Sequence, residues 1–137
     1  MQHRYLARKK LANDRQIHLI QSELFDDLKP AGFTVHPGDL GENITTRDVD
    51  LLALPLMTML HLGASATVEL TGLRTPCGQI DRFQKGLKRA LILKAPGGGT
   101  TFRTGVFGAV RAAGSLKAGD RINAILPDRP WRPLPFL

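Results

Sequence analysis

Apolar and polar positions along this 137-residue chain change period several times, and each change predicts an element. Arg15-Gln16-Ile17-His18-Leu19-Ile20-Gln21 runs largely apolar between polar ends, as a buried strand does. Ser22 then stands where a helix N-cap belongs. Residues 23–29 place Glu23, Asp26 and Asp27 early and Lys29 late, matching the helix dipole, and Pro30 and Gly32 end the segment, so two helical turns are predicted. Residues 36–45 hold Pro37, Gly38, Gly41 and Asn43 and predict turns rather than regular structure. A short apolar piece at 50–54 is closed by Pro55. Two stretches of period two, 58–63 and 67–73, then predict consecutive strands, the second of which leads directly to Cys77.

Helical spacing returns at Phe83, Leu87, Ala90 and Leu91, which predicts an amphipathic helix packed on the core. Arg82, Lys85 and Arg89 fall on its other face, where they either line a cleft with Cys77 or face solvent. Ala95-Pro96-Gly97-Gly98-Gly99-Thr100 reads as a hinge or hairpin tip, and it lacks the lysine and hydroxyl of a phosphate-binding P-loop. Residues 105–110 and 121–126 complete the strands, joined through 114–120. Many short strands with glycine turns predict a mainly β barrel or sandwich. The expected organisation is a basic segment at 1–14, a β domain at 15–126 and a proline-rich arm at 127–137. That arm holds four of the nine prolines and is expected to lie extended, docked through Trp131 and Phe136 on the body or on a second subunit.

Composition narrows the class. A chain of this length fits one domain, and 42% hydrophobic residues exclude disorder. No apolar run approaches the roughly 20 residues of a membrane-spanning helix, and the basic start carries no secretory pattern, so the cytoplasm is the expected compartment. One cysteine excludes an intrachain disulfide framework. The formal charge of +7 favours an anionic partner. Its sources cluster in the N-terminal stretch through Arg15, at 82–89 and in the arm, and each cluster taken alone reads first as a solvated basic face. Stacking aromatics are scarce, so a non-catalytic anion or nucleic-acid binding module stands as the alternative reading.

The chemistry concentrates at Arg74-Thr75-Pro76-Cys77-Gly78-Gln79-Ile80-Asp81-Arg82, where a lone thiol lies between two arginines. Positive charge favours thiolate, the form that attacks sulfur or carbon and ligates metals. The plainer reading is a buried cysteine acting as a small hydrophobe. His3, His18, His36 and His61 show no zinc-site spacing and are expected in structural or surface roles. No serine sits in a nucleophile-elbow pattern.

Four blocks carry a resemblance: residues 15–20, Pro37-Gly38-Asp39-Leu40-Gly41-Glu42-Asn43-Ile44-Thr45, residues 71–81 around Cys77, and Gly105-Val106-Phe107-Gly108. In this order they resemble MOSC domains, named for the molybdenum-cofactor sulfurase C-terminal domain. The similarity runs over about residues 15–126, and the chain looks like a small stand-alone bacterial member. The resemblance implies a mainly β, MOSC-like β-barrel with a few short peripheral helices. Its cleft would bind the pterin-based molybdenum cofactor (molybdopterin) or handle sulfur destined for a metal centre. Cys77 matches the family cysteine, which is taken to ligate molybdenum or to carry a persulfide. Glu42 and Asn43 match the block that lines the cleft. Arg74 fits the arginine before the Pro-Cys pair, and Arg74 and Arg82 are expected to bind an anionic group of the cofactor. Some relatives reduce N-hydroxylated compounds. The expected partners are the cofactor or a sulfur donor such as a cysteine desulfurase, with the redox partner unassigned. Family members usually begin with further strands bearing a Gly-Asp-His-like segment. This sequence starts after that region, which would expose strand edges and favour a homodimer.

Overall fold

A computed structural model describes residues 4–6, by their backbone, together with residues 15–94 and 97–137. In chain order the described strands are β1 (Arg4–Leu6), β2 (Ile17–Gln21), β3 (Ile44–Thr46), β4 (Met59–Leu62), β5 (Ala66–Leu73), β6 (Ile92–Lys94), β7 (Thr100–Phe102), β8 (Val106–Ala112), β9 (Gly114–Leu116) and β10 (Ile122–Ile125). The helices are α1 (Glu23–Leu28), α2 (Gly78–Phe83) and α3 (Leu87–Ala90). A six-stranded sheet of order β10-β4-β5-β8-β2-β3 forms the body, flanked by the two-stranded pairs β1-β9 and β6-β7. Register shifts in β5 opposite β8 help the sheet curl into a half-barrel, so the expected mainly β, barrel-like class is the one that forms. Neighbours in the sheet run antiparallel except β2 and β3, which are parallel because the chain crosses over through α1 before returning.

Strand β2 divides the core. Alternation sends Ile17 and Leu19 into a cluster with Leu60, Leu62, Val68, Leu70 and Val106 on the concave side. Ile20 leaves on the opposite face, into a cluster with Leu24, Phe25, Leu28, Ile80, Leu87 and Leu91 from the three helices. A strand covered on both faces reads as an apolar run instead of a clean alternation, which is the pattern seen at 17–20. By the same alternation His18 lies on the side of this strand that Ile20 faces, and it is buried there.

Several expectations are corrected. The helix expected through 83–91 is two: α2 ends at Phe83, the chain turns at residues 84–86, and α3 follows. The Asp81 carboxylate accepts the Lys88 N–H at 2.9 Å across the break. Leu87 and Leu91 are buried as expected, whereas Phe83 is 44% exposed. Ser22 makes no side-chain cap, and its hydroxyl instead accepts from Arg47 Nη1 at 3.0 Å. Residues 44–46 and 114–116, expected as connections, are β3 and β9, each of three residues and too short to show a period. β6 and β7 pair antiparallel on either side of the segment expected as a hinge or hairpin tip, of which residues 95 and 96, like most of the basic segment 1–14, lie outside the described residues.

The arm docks on the body as expected, and beside Leu73 it also joins the end of the β5 ladder. Leu73 N–H donates to Pro135 O at 2.7 Å, and Leu137 N–H donates to Leu73 O at 2.8 Å. Pro135 needs only its carbonyl there, so its missing N–H costs nothing. Leu134 is the buried anchor. Phe136 meets Phe102 with ring centroids 5.1 Å apart, while Trp131 donates to Pro127 O within the arm and remains exposed.

Gly105, just before β8, has φ +91°, and a Cβ there would overlap Leu19 O and lie 2.7 Å from Ile20 Cγ1 and 2.9 Å from His18 Nε2. Gly119 has nearly the same φ, +92°, with nothing within 4 Å of a Cβ. Both alanine variants carry the left-handed penalty of about 1 kcal/mol, but Gly105→Ala adds overpacking of roughly 2 kcal/mol. Urea denaturation is expected to rank Gly105→Ala well below Gly119→Ala; equal midpoints would contradict the close approach of β2 and residue 105.

Candidate functional site

The end of β5, the outer face of β2 and the loop of residues 36–43 converge on an open cleft of about 470 Å³. Its walls carry Cys77, Arg74, His18, Asn43 and Arg15, with Phe107 and Leu137 adding apolar surface. The volume is that of an ordinary small-molecule site. A hollow of similar size, about 480 Å³, lies beside the arm at Leu54, Trp131 and Pro133, and a smaller one of about 210 Å³ lies near Gly63 and Lys117. Neither brings a thiol or an imidazole to its surface, so the cleft is where the chemistry gathers.

His18 is buried, and its two ring nitrogens face groups of opposite character. Nε2 lies 2.6 Å from Thr104 O, which can only accept, and Nδ1 lies 3.2 Å from Arg74 Nη1, which can only donate. The neutral tautomer with its proton on Nε2 satisfies both contacts. Arg74 Nη1 also donates to Leu40 O, so both of its hydrogens are used inside the protein. The Arg74 backbone is fixed as well: its N–H donates to Gly105 O at 3.1 Å, and its carbonyl accepts from the Thr104 hydroxyl at 2.7 Å. Burial, with help from the Arg74 charge, pulls the His18 pKa from 6.5 down to about 4, against the opposing Thr104 carbonyl. His18 is therefore uncharged at neutral pH.

Cys77 follows Pro76 in extended backbone and immediately precedes α2. Its thiol pKa is lowered, first by the backbone N–H of Gln79; burial opposes the shift, and the Arg74 charge and a hydrogen bond from its guanidinium reinforce it. Cys77 is half-buried: it lines the cleft and also packs against the helix cluster. Asn43 ties the loop to β2 in both directions: its Oδ1 accepts from His18 N–H at 2.8 Å and its own N–H donates to His18 O at 2.8 Å. The Arg15 guanidinium lies over the Phe107 ring, 5.4 Å from its centroid, and Phe107 in turn packs on the His18 ring at 5.4 Å.

Of the residues selected from sequence, Cys77, Arg74 and Asn43 come together. Glu42 does not line the cleft; it is buried, with Oε2 accepting weakly from Thr45 at 3.4 Å and Oε1 lacking a hydrogen-bond partner. Arg82, in α2, is exposed and does not line the cleft. His18 and Arg15 were not selected. The signal for His18 was a lone imidazole inside an apolar strand, a position that demands partners on both nitrogens. Arg15, just ahead of that strand, counted only as part of a basic stretch. Of the other histidines described, His61 is exposed, and His36 is exposed beside Asp39.

Among the described residues no group of three or more His, Cys, Asp or Glu is arranged to hold a metal ion. A metal in this cleft would have to arrive with ligands of its own, and one soft thiolate among cationic groups suits an anionic metal complex. No described helix is long and apolar enough to cross a membrane.

The sequence profile of the MOSC domain matches residues 7–123. Similar solved structures include YiiM from Geobacillus stearothermophilus, with a TM-score of 0.72, 19% identity, and coverage of 90% of this chain and 60% of that one. YiiM from Escherichia coli gives 0.66 and 15%, covering 87% and 58%. The YuaD protein from Bacillus subtilis gives 0.66 and 21%, covering 86% and 68%. The chain thus spans about three fifths of the length of the YiiM structures. No curated protein matches it.

A histidine whose native pKa lies below its unfolded value takes up more protons on unfolding as the pH falls. The stability it contributes is complete above pH 6.5 and is lost progressively towards about pH 4. Wild-type protein should lose about 2 kcal/mol more than His18→Asn between about pH 7 and about pH 5 in denaturant titrations. Parallel losses would contradict a buried neutral imidazole.

Proposed function

The chain belongs to the MOSC domain family, and from that premise we propose that its cleft binds a molybdenum cofactor with the Cys77 thiolate as the protein's ligand to the metal. The observation that carries this reading is the meeting of one partly exposed, acidified thiol with Arg74, Arg15 and Asn43 around a single cleft of about 470 Å³. A soft thiolate donor suits molybdenum, and guanidinium groups suit the phosphate of a pterin cofactor. When bound, the cofactor would supply a two-electron redox centre.

The chain's own residues have separable tasks in this reading. The Gln79 N–H and Arg74 keep the sulfur of Cys77 ready as a thiolate. The portion of the Arg74 guanidinium not engaged with His18 and Leu40 faces an anion in the cleft. Asn43 fixes the loop against β2. Glu42 and Arg82, outside the lining of the cleft, take no direct part in this reading. Reduction of N-hydroxylated compounds, which some relatives carry out, is the reaction to assay once a loaded protein is in hand.

Protein expressed with molybdate in a cell that makes the cofactor should contain molybdenum and pterin by elemental analysis and fluorescence. Cys77→Ala should reduce the molybdenum content by about tenfold or more. Equal metal in both proteins would refute ligation by Cys77. Metal-free wild type whose intact mass carries one extra sulfur atom would instead support sulfur carriage.

A further inference from the structure

We infer that His18 is a positioning residue that fixes the Arg74 guanidinium beside Cys77 as the receiver of an anionic oxygen group. This inference rests on the reading of the cleft as an anion-binding site and assigns a role to a side chain that touches neither metal nor ligand. The reason is geometric. An arginine side chain has several freely rotating bonds, and its charge would ordinarily be spread over a wide arc of solvent. Here one terminal nitrogen is held by two acceptors at once, the carbonyl of Leu40 and Nδ1 of His18. His18 can offer that lone pair because Thr104 O takes the proton on Nε2, and the ring is held in place by these two hydrogen bonds and by Phe107 packed against it. With Nη1 committed to the protein, the guanidinium is held at the wall of the cleft it shares with Cys77, within hydrogen-bonding reach of the thiol. A leucine in place of His18 would leave Nη1 short of an acceptor and release the guanidinium.

The single cysteine gives an unambiguous readout. Iodoacetate is an anion and iodoacetamide is neutral, yet both react only with the thiolate, so the ratio of their rate constants cancels the thiolate fraction and reports the positive charge near the sulfur. In low salt, His18→Leu should lower this ratio by about threefold, and high salt should remove the difference. His18→Asn, which keeps an acceptor close to the Nδ1 position, should stay within about 1.5-fold of wild type. An unchanged ratio in His18→Leu would overturn the inference, as would an equal loss in both variants. Should His18→Leu fail to fold, NMR of wild type decides: Arg74 Nη1 protons that are resolved and slow to exchange support the clamp, and rotationally averaged ones overturn it. Neither measurement uses the cofactor. A molybdenum-free protein with the expected ratios would sink only the proposed function, and a loaded protein with unchanged ratios only the role of His18.

Discussion

The cleft depends on one buried imidazole that must stay neutral. His18 is 5% exposed at the wall of the cleft, so water solvates a charge there poorly and the ring finds a partner for each nitrogen within the protein. A carbonyl on one side and a guanidinium on the other satisfy it in a single tautomer. Three separate pieces of chain are joined by that arrangement: β2, the segment leaving β5 with Arg74 and Cys77, and Thr104 ahead of β8. Charging the ring would place it against Arg74 and remove the acceptor Arg74 uses. The desolvation that lowers the His18 pKa is the same desolvation that makes its hydrogen bonds specific.

The thiol obeys a different balance. Cys77 is close enough to Gln79 N–H and Arg74 for its thiolate to be favoured, and exposed enough to meet a ligand. Burial works against the charge, as at any partly covered thiol, and here it loses to the hydrogen bonds. Arg74 therefore serves two neighbours with different needs: its charge helps keep His18 neutral and helps Cys77 ionise. Glu42 stands apart, buried next to Asn43 in the same loop with one side-chain oxygen unpartnered.

Much of this was legible in the residue pattern. Strands β2, β4, β5, β8 and β10 and helix α1 follow from alternation, capping charges and proline or glycine stops, and Cys77 and Arg74 stood out through local chemistry. What stayed hidden depends on contacts distant in sequence. β3 and β9 exist because a neighbouring strand offers a ladder, not because three residues prefer to be extended. The break between α2 and α3 depends on Asp81 reaching across to Lys88. Arg82 shares helical spacing with Arg89, but that break removes the common face. His18 and Thr104 are 86 residues apart, and no local spacing announces the pair. The arm illustrates the converse: its prolines forbid a regular strand, yet Pro135 enters the ladder as an acceptor alone.

Heteronuclear NMR of the imidazole nitrogens tests the central constraint most directly, with the His18 signals assigned by their loss in His18→Asn. The account predicts a protonated Nε2 and a lone-pair Nδ1, unchanged from about pH 8 down to about pH 5. A proton on Nδ1, or an imidazolium at neutral pH, would mean that His18 does not accept from Arg74, and the arrangement of the cleft would need another cause.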